Sequence, residues 1–281
     1  MFVLSATLVA AAVAGFVGWG AAHRWPLADQ QIEPETATAI ALAVASAVVV
    51  IGVVLFGVLL FMVRTNTGFA RLDLSAARFG ANHATPLSTH VLRLLTQLGG
   101  AVVLVPLTAL VALVLAGARL RERDAGTRHL RREIGMLLAF FVLTVGGQYL
   151  IVNVVKWLVD RARPNLDRLT GFSGPSFPSG HAAASAATFA AFALVLGRGR
   201  SAQSRSVLAG VGTALAVAIA TSRVMLGVHW MTDVLAGLAL GWAWFAVCAI
   251  AFGGRILRFA APVVAADQDL RTSERGVAAR C

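Results

Sequence analysis

Composition, span lengths and backbone chemistry together predict an all-α protein, a polytopic bundle of membrane-crossing helices. The 281 residues are 58% hydrophobic and only 13% charged, with a mean hydropathy of +0.78. Soluble domains carry roughly 25% charged residues. Seven apolar stretches approach or exceed the roughly 17–25 residues that a bilayer crossing needs. Inside hydrocarbon each backbone N–H and C=O must find an internal partner, so these stretches must be helices.

In chain order the predicted spans are 2–22, 38–63, 94–117, 134–155, 181–197, 206–222 and 233–253. The first lacks the positively charged start of a secretory signal, and reads as an extra helix with its N-terminus outside. The span 38–63 opens a six-helix core that runs to 253. Between 64 and 93 the chain is too polar to cross and too apolar to be disordered. Leu72, Leu74, Phe79, Leu87, Val91 and Leu94 in that stretch predict a helix lying at the membrane interface. The spans 181–197 and 206–222 sit at the short limit of crossing length. Beyond 253 the chain is a polar, cytoplasmic tail. Val145-Gly146-Gly147-Gln148 and Gly210-Val211-Gly212 read as close helix packing by small residues rather than as ligand loops.

Charge sets the orientation. The net charge of +11 would suggest a nucleic-acid partner in a soluble chain. Here the arginines crowd the short loops between spans, so no such partner is expected. The segments 118–133, 198–205 and 254–281 hold 14 Arg. The segments 64–93, 156–180 and 223–232 hold 9 Lys and Arg. By the positive-inside rule the first set is cytoplasmic and the second faces outward, in a cell membrane. Cys248 lies in a span and Cys281 ends the chain, so a disulfide between them is not expected. No Cys or His spacing offers a metal site, and no cofactor is expected.

Three polar strings stand at span ends. One opens on Lys156, the single Lys beside 23 Arg, and runs to Arg163-Pro164. The second is Pro178-Ser179-Gly180-His181. The third is Ser222-Arg223, then His229 and Asp233. The predicted topology puts all three on the outward face, where they can converge.

Their chemistry suits a phosphate group. Phosphoryl transfer asks the protein chiefly to position the group and stabilise charge on its equatorial oxygens. Lys156, Arg163 and Arg223 supply three cations, with Arg offering forked contacts and Lys a point charge. Ser179 is a helix N-cap, Gly180 lets a ligand approach the backbone, and the free amides of the helix start bind anions. His229 and Asp233, four apart, share a helix face. Asp233 can accept from one ring nitrogen and leave the other to attack phosphorus. His181 would protonate the leaving oxygen and later activate water.

These strings resemble the three-part signature of the type 2 phosphatidic acid phosphatase superfamily, which also contains glucose-6-phosphatase and the vanadium haloperoxidases. The resemblance covers roughly 38–253 and leaves 2–22 outside. It implies a six-helix phosphatase core and metal-independent hydrolysis of a lipid phosphate in the membrane, with the site at the outer surface. It implies His229 as nucleophile, Asp233 as its orienting partner and His181 as general acid. Lys156, Arg163, Ser179, Gly180 and Arg223 would bind the phosphate. Undecaprenyl diphosphate is the favoured substrate, with phosphatidic acid and phosphatidylglycerol phosphate beside it. A phosphotransferase passing the group to another acceptor is the alternative. A transporter is disfavoured by the lack of inverted repeats and of ionisable residues at span centres. Oligomeric state is not legible.

Taken singly, a cation at a span end is a topology anchor, and Pro164 and Pro178 simply end helices. His23, His83, His90 and His129 read as tolerated interfacial residues. Asp160, Arg161 and Arg168 read as rim charges or salt-bridge partners, and Trp157, Trp230 and Phe177 as interface-belt aromatics.

Overall fold

A computed structural model describes residues 2–23, 34–121, 127–165 and 174–258. Arg168 and the tail from 259, Cys281 included, lie outside the described residues. Every regular element described is helical: α1 Phe2–His23, α2 Pro34–Thr65, a 3-10 turn Gly68–Leu72, α3 Asp73–Asn82, α4 Pro86–Gln97 and α5 Ala101–Arg121. There follow α6 Thr127–Phe141, a π segment Val142–Gly147, α7 Gln148–Val159, α8 Gly180–Leu196, α9 Ala202–Met225 and α10 Met231–Arg258.

Among the described residues, five runs are long and apolar enough to cross a membrane: Thr38–Thr65, Ala101–Ala118, Leu130–Val159, Ala202–Met225 and Met231–Phe252. Val3–Gly18 and Gly180–Leu196 are shorter apolar helices. Six of the seven predicted spans fall within continuous helical runs, and the protein is a multi-pass membrane protein. Large apolar side chains point outward along α2 and α5, among them Val50, Ile51, Phe61, Val102 and Leu113. In hydrocarbon such exposure carries no penalty, and what organises the interior is close packing of small residues.

The interior is built around α8. Its run of Ala182 to Ala187 is buried without a break between α9 and α10. α10 approaches α8 through Gly237 and Gly241. A methyl group at Gly237 would lie 2.5 Å from the Ser179 carbonyl oxygen, and one at Gly241 would strike the Ala183 carbonyl. α1 lies along α9, where a methyl at Gly15 would meet the Ala214 side chain at 2.9 Å and the Gly210 carbonyl at 3.1 Å. Gly212 backs onto Phe189, and Gly147 onto the Trp244 ring. Both glycine strings singled out in the sequence thus sit at close helix contacts.

Three expectations need correction, and one short span gains length from its flanks. The stretch 94–117 is broken after Gln97, and its membrane helix starts only at Ala101. Gly99 causes the break to be useful, because a methyl there would lie 2.5 Å from Ile219 and 2.8 Å from the Ser185 hydroxyl. The interfacial segment is not one helix but the 3-10 turn, α3 and α4, with the six apolar side chains named above all exposed. Thr85 and Ser88 form a capping box with Pro86 in the first turn, which restarts the chain as α4. The stretch 206–222 grows to the 24 residues of α9 because the N-cap Ser201 starts it early. Phe177 is no belt residue: it is fully buried, packed with Phe56 and Leu59 of α2.

Candidate active site

The three polar strings meet at one end of the bundle. Lys156 stands in the last turn of α7, which stops at Asp160 in the left-handed conformation (φ 45°). The Lys156 ammonium donates to the Pro175 carbonyl at 2.5 Å. Beyond Asp160 the chain is extended and pinned from both sides. Ser176 donates its amide to the Arg161 carbonyl at 2.8 Å, and the Trp230 indole donates to the Ala162 carbonyl at 2.8 Å.

That pinning aims Arg163 inward, where it is 7% exposed. Its guanidinium donates to the carbonyls of Gly174 (2.8 Å), Pro175 (3.0 Å) and Val228 (2.5 Å). Its Nη1 also lies 3.1 Å from His229 Nε2. Ser179 caps α8, accepting from the Ala182 amide at 3.5 Å. The Ser179 amide donates to the Asp233 carbonyl at 2.9 Å, which ties the second string to the third. Arg223, in the last turn of α9, is 3% exposed and donates to the Thr96 hydroxyl at 3.0 Å.

A turn through Gly227 (φ 69°) carries the chain from α9 to His229, which is 1% exposed. His229 Nδ1 lies 3.3 Å from Asp233 Oδ2. The same oxygen accepts the Trp230 amide at 3.0 Å. An arginine can only donate. His229 Nε2 must therefore accept from Arg163, and the ring proton belongs on Nδ1, donated to Asp233. This tautomer leaves the Nε2 lone pair facing the cationic cluster. Burial pushes the His229 imidazole down to about 4, with Arg163 and Arg223 adding to the effect and Asp233 opposing it.

A cavity of about 750 Å³ opens beside this cluster. Lys156, Gly180 and His181 line it, with Gly99 and Ala101 from the α4–α5 turn, and Tyr149, Val152 and Trp157 from α7. The lining thus mixes a cation and an imidazole with apolar and aromatic side chains, and Asn153 and Asp160 also line it. All eight residues singled out in the sequence come together here: Lys156, Arg163, Ser179, Gly180, His181, Arg223, His229 and Asp233.

Three neighbours were not singled out in the sequence. Thr96 holds Arg223, while Asp73 and Thr232 join Arg161 behind Asp233. One signal for Asp73 was present: it is the only carboxylate between residues 36 and 121. Arg161 is indeed a salt-bridge partner, at 2.7 Å from Asp233 and 2.8 Å from Asp73. Trp157 is exposed, as a belt residue should be, whereas Trp230 is held by its hydrogen bond and lies against the Arg161 guanidinium at 5.4 Å. Asp160 lines the cavity mouth. His83 bonds back to the Phe79 carbonyl of its own helix, away from the cluster.

Comparison with known proteins agrees with this geometry. Residues 137–256, which contain all three strings, match the PAP2 superfamily. A lipid A 1-phosphatase of Rhizobium johnstonii is 32% identical over 195 residues, covering 66% of this chain and 76% of its own. Phosphatidylglycerophosphatase B of Bacillus subtilis is 32% identical over 161 residues, covering 56% and 71%. The crystal structure of a transmembrane PAP2-type phosphatidylglycerolphosphate phosphatase from Bacillus subtilis superposes with a TM-score of 0.63 at 26% identity, covering 75% of this chain and 98% of that one. Fold, site and relatives define an integral membrane hydrolase of phosphoric esters, a lipid phosphatase. The chain belongs to the PAP2 superfamily.

Proposed function

We propose that this protein releases phosphate from a membrane lipid through a phosphohistidine on His229. The chain from Arg163 through His229 to Asp233 carries the reading, because it leaves His229 Nε2 unprotonated among cations. Attack of Nε2 on phosphorus breaks the bond to the lipid oxygen, and that oxygen takes a proton from His181. Water then attacks the phosphohistidine, His181 recovers a proton from it, and phosphate leaves with Nε2 restored. Lys156, Arg163 and Arg223, with the Ser179–Gly180 amides, stabilise charge on the equatorial oxygens.

Arg163 Nη1 lies 3.1 Å from His229 Nε2. The substrate's phosphate must draw that guanidinium onto itself, which uncovers the nucleophile as the anion arrives. The catalytic core is taken as 38–253, with α1 an addition packed on α9. The site is taken to lie on the outer face of the cell membrane, following the arginine distribution.

The apolar residues lining the cavity, Ala101, Val152 and Trp157 among them, suit a lipid tail. Relatives named lipid A 1-phosphatase and phosphatidylglycerophosphatase B support testing lipid A and phosphatidylglycerophosphate beside undecaprenyl diphosphate and phosphatidic acid. Passing the phosphoryl group to an alcohol instead of water is the same chemistry with another acceptor. The deciding experiment is phosphate release by purified protein from these four lipids in EDTA, with His229→Ala alongside. Release by wild type alone, undiminished by the chelator, supports the histidine route. Equal release by His229→Ala, or release that EDTA stops, would refute it.

A further inference from the structure

Behind the cluster lies a second network that the phosphatase chemistry above does not use. The Arg161 guanidinium sits between two buried carboxylates. Its Nη1 donates to Asp233 Oδ1 at 2.7 Å and to the Thr232 hydroxyl at 2.8 Å, and its Nη2 donates to Asp73 Oδ2 at 2.8 Å. Asp73 is bound in turn to the start of α10. Its Oδ1 accepts the Thr232 amide at 2.9 Å and its Oδ2 the Thr232 hydroxyl at 2.6 Å. The side chains of Asp73 and Asp233 are 4% and 0% exposed, and that of Arg161 is 18% exposed.

We infer that Arg161, held by Asp73 and Thr232, is a positioning residue that fixes Asp233 for His229, making α3 a working part of the active site. This rests on the reading of His229 as nucleophile. The two oxygens of Asp233 have separate duties. Oδ2 takes His229 Nδ1 and the Trp230 amide, and Oδ1 takes Arg161. The bond to Arg161, with that from the Trp230 amide, therefore sets the rotation of the carboxylate, and with it the direction of the imidazole. A planar, forked guanidinium spans two carboxylates as an ammonium cannot. Asp73 fixes the fork in turn, and reaches it from 88 residues earlier in the chain. Both ends of the Arg161 guanidinium are engaged by Asp233, Thr232 and Asp73, so its effect on turnover passes through Asp233.

The test uses full-length protein and the lipid that wild type hydrolyses. It compares Arg161→Gln, Arg161→Lys, Asp73→Asn and Arg161→Gln with Asp73→Asn combined, each with kcat, KM and the inhibition constant of inorganic phosphate. Misplacing a reacting group by about 1 Å costs on the order of 100-fold in rate. Arg161→Gln is expected to lower kcat by about that factor, with KM and phosphate inhibition within roughly threefold of wild type. Arg161→Lys recovers part of the loss, Asp73→Asn loses less, and the double variant falls no further than Arg161→Gln.

Melting in detergent separates positioning from folding: the loss must exceed the fall in folded fraction. If Arg161→Gln does not fold, Asp73→Asn carries the test, because it keeps the shape and removes one charge. Wild-type kcat in either folded variant would overturn the inference. So would a rise in KM at constant kcat, which would make Arg161 a headgroup contact. Phosphate release by His229→Ala in the same assay would remove the underlying reading instead, a result distinguishable from both.

Discussion

At His229 burial and chemistry point the same way. A buried imidazole resists charging, and a nucleophilic imidazole must be uncharged, so the pocket that desolvates the ring also keeps its lone pair ready. The pH dependence has a definite sign. The folded protein holds this group near 4, below its ordinary 6.5. Its contribution to stability is therefore full above about 6.5 and is lost as pH falls from there toward 4. Melting temperatures of wild type and His229→Gln, measured in detergent from pH 7.5 to 4.5, are expected to fall more steeply for wild type. Parallel curves would show that the ring is not held neutral. Activity read as kcat/KM should keep its acid limb near pH 4 on the same grounds.

At the scale of elements, the start of α8 is held by its neighbour more than by its own cap. The Ser179 amide is bound to the Asp233 carbonyl, and Gly237 lets α10 come flush against the Ser179 carbonyl. Replacing Gly237 by alanine puts a methyl group 2.5 Å from that oxygen, so Ser179, Gly180 and His181 must shift together. A loss of at least about tenfold in kcat is expected, since positional errors of this size are costly. Gly57→Ala, where nothing lies within 4 Å, is the matched control and should leave turnover unchanged.

The helices and the convergence of the eight candidate site residues were legible in the sequence because lipid fixes span length and phosphate chemistry fixes residue type. Thr96 and Asp73 were not, since they join the site from 127 and 88 residues away along the chain. Phe177 was misjudged for a related reason. Its aromatic ring suggested the membrane surface, whereas the loop before α8 folds it beneath α2.

For the whole molecule, orientation is the property that matters most, because it decides which leaflet supplies the substrate. Arg64 donates to the Leu158 carbonyl, so the α2–α3 turn shares a side with the active site, while the exposed Arg200 stands in the turn between α8 and α9. In a background with Cys281 replaced, Asn66→Cys should react with a membrane-impermeant maleimide in intact cells. Arg200→Cys should react only after the membrane is opened. The reverse pattern would put the phosphatase on the cytoplasmic side.

The dependence of the site on α10 also bears on how the protein is made. Asp233 contacts both His229 and the start of α8, and it belongs to α10, which leaves the ribosome after every other described helix. Until that helix inserts, the three cations and both histidines are in the membrane without the carboxylate that arranges them. If His229 needs that carboxylate, activity waits for α10, and a chain cut short before that helix sits in the membrane as an inactive bystander.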